Sequence, residues 1–167
     1  YASVDIIKGL KLKETLSYDY TVQKDSRYLN PLSGAGPKSG SDAQTSKGFT
    51  EYGKFLSSTS INFVRTFATK HHLDVLAAYE LESYQSDKAM GEKAKLPSDV
   101  LLEPDNAAVL KSFASSTQAY RMISYLSRLN YDYDDRYYIA GSYRRDGSSR
   151  LAPESRWGDF WSVSGMW

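Results

Sequence analysis

Three groups of side chains in this sequence are of types that do chemistry. Carboxylates cluster as Glu80/Glu82, Glu103/Asp105 and Asp132/Asp134/Asp135. Two histidines are adjacent, His71 and His72, and a charged block reads Arg144-Arg145-Asp146-Gly147-Ser148-Ser149-Arg150. Paired carboxylates can hydrolyse a glycosidic bond only when they oppose each other across a cleft. Two of these carboxylate sets fall in loop or turn contexts and offer no such opposition. There is no Gly-x-Ser-x-Gly, P-loop or dinucleotide fingerprint. The expectation is therefore no catalytic residue, no cofactor and no enzyme.

Adjacent residues on a strand point to opposite faces, so His71 and His72 do not readily share one ion. With no Cys and no third His, the pair is expected to be a hydrated turn over residues 69–72 and the metal ligands none. In the charged block, Arg144, Asp146 and Arg150 are the candidate binding residues, suited to a sugar or carboxylate group at a lumen or loop. The favoured reading of the same block is a backbone device, since such motifs mostly set backbone geometry. Gly147 would permit a turn with positive φ, the serines would bond back to the backbone, and Arg and Asp would pair.

Composition narrows the classes. The chain has 167 residues, a net charge of +1 and no Cys. So balanced a charge argues against an electrostatic nucleic-acid binder, which would show a basic stripe, and the lack of Cys rules out disulfides and Cys-based redox chemistry. No apolar run of about 18 residues exists, so no transmembrane helix is expected. A mean hydropathy of −0.54 suits a soluble domain and also a membrane barrel, whose strands alternate and give a weak signal.

Alternation dominates the sequence. In 10–23, even positions carry Leu10, Leu12, Glu14, Leu16, Tyr18, Tyr20 and Val22, and odd positions carry Lys11, Lys13, Thr15, Ser17, Asp19, Thr21 and Gln23. Period two over this length means one apolar and one polar face. It is long for a globular strand and suits a tilted membrane strand that continues past the bilayer. Glu14 interrupts the apolar face. Shorter or similar patterns at 2–7, 55–67, 73–84, 117–133, 137–146 and 157–167 bring the total to about seven antiparallel strands. Tight turns are expected at 8–9, 69–72 and 134–135. Long polar loops are expected at 26–52, 85–116 and 147–156, with short helices over 100–102 and 104–113. Tyr18, Tyr20, Tyr131, Tyr137, Tyr143, Trp161 and Trp167 lie where an interfacial aromatic belt would. Arg65, beside Phe67 near a turn, would snorkel to headgroups.

The last third of the chain carries a family resemblance. Asn130-Tyr131, Arg136-Tyr137, the Arg145-Asp146-Gly147-Ser148-Ser149-Arg150 run and Trp157-Gly158 resemble the barrel signature of SusC/RagA-type TonB-dependent outer-membrane transporters. Gly9-Leu10-Lys11-Leu12-Lys13, Tyr28-Leu29-Asn30-Pro31, His72-Leu73 and Leu96-Pro97-Ser98-Asp99 follow in the family's order. The resemblance implies an all-β transmembrane barrel segment, residues 1–167 belonging to one barrel domain of about 22 strands. The plug and the TonB-binding segment would lie outside these residues, since the chain starts and stops within strands. It further implies import of a glycan or peptide and outer-membrane lipid around the wall. A SusD-like surface lipoprotein, TonB and the outer membrane of a Gram-negative bacterium of the Bacteroidota complete the expectation. Against it stands a secreted β-sandwich carbohydrate-binding module that stacks sugars on exposed Tyr and Trp.

Overall fold

A computed structural model describes residues 1–32 and 42–167. The strands are β1 (Ala2–Ile7), β2 (Leu10–Leu29), β3 (Gln44–Phe67), β4 (His71–Ala94), β5 (Val109–Tyr133), β6 (Tyr137–Ser148) and β7 (Trp157–Met166). They form one seven-stranded antiparallel sheet in the order β1-β2-β3-β4-β5-β6-β7. Every neighbour in space is a neighbour in sequence, the up-and-down pattern of a barrel wall. A sandwich needs a second sheet packed on the first, and the described residues supply one sheet only.

Register shows how alternation becomes two faces, because directly paired residues share a face. Val4 pairs with Leu12, and Asp5 with Lys11. Leu129 pairs with Gly141, and Gly141 with Val163; Arg128 pairs with Ser142, and Ser142 with Ser162. Apolar meets apolar and polar meets polar across three strands. Burial is the telling quantity. Among the described residues the only buried apolar side chains are Ala94 and Ala107, while Leu16, Tyr18, Ile139, Trp161 and Val163 are each more than half exposed. A soluble chain of this length folds around a core. This sheet has none of its own, so its apolar face requires an external apolar surface.

The chain divides into two compact units. One comprises Tyr1–Asp19, Lys54–Tyr84 and Tyr120–Trp167; the other comprises Tyr20–Gly53 and Gln85–Ala119. In the second unit the strands reach further than the sequence suggested. The expected loop 26–52 is strand up to Leu29 and again from Gln44, and its middle, 33–41, lies outside the described residues. The expected loop 85–116 is strand up to Ala94 and from Val109. Backbone pairing holds these segments although stretches such as Lys24-Asp25-Ser26-Arg27 are polar on both faces, which erases the alternation signal. The helices expected at 100–102 and 104–113 reduce to one 3-10 turn, Pro104–Asn106. There Asp99 caps no helix but accepts the Tyr28 hydroxyl at 2.7 Å, and Ser98 Oγ accepts the Val100 N–H at 3.2 Å. Lys47 Nζ donates to both carboxylate oxygens of Glu103 at 2.5 Å, and Thr45 Oγ1 donates to the Leu102 carbonyl at 2.7 Å. These contacts fold the 95–108 connection onto the ends of β2 and β3.

In the first unit the turns are tight. Ala68 and Thr69 have φ of 47° and 62°, Asp134 and Asp135 of 58° and 53°. Two successive positive φ values are the hallmark of the hairpin turn that matches strand twist. Lys70 binds Asp134 through its Nζ at 3.1 Å, and its carbonyl accepts the Asp134 N–H at 2.8 Å. Both hairpin turns therefore lie on one rim. The expected turn over 69–72 is corrected to Ala68-Thr69-Lys70, with His71 and His72 opening β4. Gly9, at φ 87°, offers its carbonyl to the Val64 N–H at 2.7 Å.

Candidate functional site

The first unit presents two chemically distinct surfaces. On the apolar face, aromatic rings gather at two levels. Near the 68–70 and 134–135 turns, His71 lies 4.9 Å from Tyr133 and accepts from or donates to the Tyr131 hydroxyl at 2.7 Å, and Tyr133 stacks on Tyr137 at 6.4 Å. Further along the strands, Tyr125 lies 5.4 Å from Tyr79 and 6.2 Å from Trp157, whose ring also receives Arg145 at 5.2 Å. Leu129, Ile139 and Val163 lie between the two levels. From Tyr133 to Tyr125 is about 26 Å along the strand, or about 20 Å of height at a tilt of about 40°. That approaches the height of a barrel's lipid-facing band with its two aromatic girdles.

Glu14, which interrupts this face, is answered by the neighbouring strand. Its carboxylate accepts the Ser57 hydroxyl at 2.8 Å and the Thr59 hydroxyl as well. Two hydroxyls of β3 thus satisfy the acceptors that the sequence pattern left unexplained. Arg65, near the same rim as the turns, lays its guanidinium 5.1 Å over the Phe67 ring.

The polar face carries a connected network. Lys54 Nζ meets Glu82 at 3.0 Å, the Tyr120 hydroxyl donates to Glu82 at 2.7 Å, and Tyr84 stacks on Tyr120 at 5.0 Å. Arg150 covers the Tyr120 ring at 4.0 Å. Closer to the turns, Asp74 accepts Asn62 at 2.7 Å and Asn130 at 3.4 Å and faces Arg128 at 3.6 Å. Long polar side chains paired across strands make a hydrated surface rich in hydrogen-bond donors and acceptors.

The candidate residues of the charged block fall into two places. Arg144 Nε donates to both oxygens of Asp146, at 2.8 and 2.9 Å, and its terminal nitrogen reaches Ser124 Oγ at 3.4 Å. Arg150 sits apart on Tyr120. The rest of the block sets backbone. Ser149 accepts the Arg121 N–H with its hydroxyl and donates its own N–H to the Arg121 carbonyl, both at 2.9 Å. Gly147 is not the positive-φ turn expected of it; it lies inside β6, paired with Trp157. A Cβ there would come within 2.7 Å of the Trp157 ring, so the glycine makes room for the indole to lie across the strand.

Some ionisable groups outside the apolar band have shifted titrations. The hydrogen bond from Tyr28 to Asp99 holds the phenol above its usual value, and bonds from Thr117 and Gln85 hold the Asp87 carboxyl below its own. At the rim, bonding to Asp134 raises Lys70. The Lys54–Glu82–Tyr120–Arg150 network escaped sequence reasoning. Its members are far apart in the chain, and only cross-strand register brings them together.

No family profile matches the chain. Over its full length the chain is 28% identical to TonB-dependent receptor P39 of Formosa agariphila and 24% identical to TonB-dependent receptor P3 of the same organism. It spans only 16% and 17% of the length of those two receptors. A stretch of 65 residues, 39% of the chain, is 38% identical to the TonB-dependent receptor SusC of Bacteroides thetaiotaomicron and covers 6% of it. Among solved structures, the RagAB peptide transporter superposes with a TM-score of 0.88 at 25% identity, over 98% of this chain and 18% of that one. The RagAB peptide importer in its open-open state gives 0.87.

Proposed function

We propose that this chain, a SusC/RagA-type segment of a TonB-dependent outer-membrane receptor barrel, forms part of the wall of a nutrient importer. The observation that carries the reading is the single sheet with an exposed apolar face, two aromatic levels and a polar opposite face. The apolar face meets outer-membrane lipid and the polar face lines the lumen. The turns at 8–9, 68–70 and 134–135 face the periplasm, and the connections at 95–108 and 149–156 face outward. The cargo is a glycan or a peptide, and the polar network around Tyr120, with Arg144, Asp146 and Arg150, is the surface it passes. A SusD-like lipoprotein lids the outer connections. The host is a Gram-negative bacterium of the Bacteroidota.

Residues 1–167 belong to one barrel domain, and the plug and TonB-binding segment belong to other parts of the parent protein. Seven strands cannot close a barrel of about 22, and an open sheet leaves unpaired edges that a bilayer does not tolerate. The segment alone therefore neither engages TonB nor transports. Deleting the plug or the TonB-binding segment from the parent should abolish growth on the cargo while the barrel stays folded. Undiminished energy-dependent uptake by such a deletion strain would overturn the TonB-dependent reading.

A further inference from the structure

At the rim that carries the 134–135 turn, one imidazole and two carboxylates converge on the polar face, and transport gives them no task. One ligand atom from each of His72, Asp132 and Asp135 lies within 4.8 Å of the other two. Oδ1 of Asp132 is shielded from solvent and has no hydrogen-bond partner. A carboxylate oxygen left so is costly unless a donor or a cation completes it. Of the neighbouring basic groups, Lys70 is engaged with Asp134 at 3.1 Å and Arg128 with Asp74 at 3.6 Å, and Arg65, which lines the same cavity, lies 5.1 Å over the Phe67 ring. One ring nitrogen of His72 is fixed by Thr66 Oγ1 at 2.8 Å. That leaves the other nitrogen as a ligand, the arrangement by which metal-binding histidines are oriented. His72 and Asp132 line a cavity of about 550 Å³ together with Asp74, Asn130 and Tyr138, which gives an ion an entry path and room for water.

We propose that His72, Asp132 and Asp135 bind a divalent transition cation of the zinc class, with water in the remaining position. One nitrogen and two carboxylate oxygens suit Zn²⁺ or Mn²⁺ better than Mg²⁺ or Ca²⁺, which prefer all-oxygen shells. Ligands about 2.0–2.2 Å from a tetrahedral zinc lie about 3.4 Å apart, so a small rotation of the exposed Asp135 carboxylate closes the set. The ion would join β4 to β5 and its turn. It does not use the adjacent His71, which points to the opposite face and bonds Tyr131. This site stands whether or not the parent imports a nutrient.

The test is a zinc titration of the detergent-purified full-length parent, stripped with chelator, against a competing chromophoric chelator, with Mg²⁺ as the control cation. Wild type should bind one equivalent more Zn²⁺ than His72→Ala or the near-isosteric Asp132→Asn/Asp135→Asn variant, or bind that equivalent at least tenfold more tightly. Retained heat-modifiable mobility in gels certifies that each variant is folded. Identical stoichiometry and affinity in wild type and folded variants would overturn the site, as would the absence of saturable zinc binding above the Mg²⁺ background.

Discussion

Leu129→Arg should destabilise the full-length barrel by about 2–4 kcal/mol, the cost of placing an arginine at mid-depth on a lipid-facing strand. Leu129 is 44% exposed in the sheet, and at a site so exposed on a water-facing sheet the same change would fall within about 0.5 kcal/mol of neutral. The prediction turns on what lies against the residue. Leu129 pairs through Gly141 with Val163, itself 72% exposed, in the row between the two aromatic levels. Arg128, one residue away, faces Asp74 on the polar side. Urea-dependent unfolding in liposomes, read by tryptophan fluorescence, checks the magnitude, with Arg128→Leu as the opposite-face control.

Gly9→Val should cost a comparable amount, about 2–4 kcal/mol, for a different reason. Gly9 sits at φ 87°, where a β-branched residue is strongly disfavoured, and a Cβ there would lie 2.2 Å from the Val64 carbonyl oxygen. Relief requires moving the β1–β2 turn away from β3, which breaks the Val64 N–H bond to the Gly9 carbonyl. The same unfolding measurement applies. Gly165→Val serves as the control, because its φ is ordinary and its nearest neighbour would be 3.8 Å away.

The strand count, the up-and-down order and the turn regions were legible in the sequence because alternation and turn chemistry are local signals. Leu12, Leu16 and Tyr18 alternate with Lys11, Lys13 and Ser17, and Asp134-Asp135 marks its own turn. The extended parts of β2, β3, β4 and β5 were not legible. Stretches such as Lys24-Asp25-Ser26-Arg27 are polar on both faces, so pairing leaves no periodic trace. Nor could local pattern supply what register creates. Gly147 looked like a turn glycine and is a seat for Trp157. Glu14 looked like an error in the apolar face and is held by Ser57 and Thr59. His72 looked like half of a turn pair and instead lies near Asp132 and Asp135, which are some 60 residues along the chain.

The orientation of the two faces is the central claim, and nitroxide accessibility tests it most directly. Spin labels are placed one at a time on cysteines at Leu12, Leu16, Leu129 and Val163, and at Lys13, Ser17, Arg128 and Ser162, in the full-length protein reconstituted in bilayers. Collision with oxygen, which concentrates in hydrocarbon, should dominate at the first four. Collision with a water-soluble nickel chelate should dominate at the second four. A reversed pattern, or chelate access at all eight, would contradict a membrane wall with its apolar face to lipid.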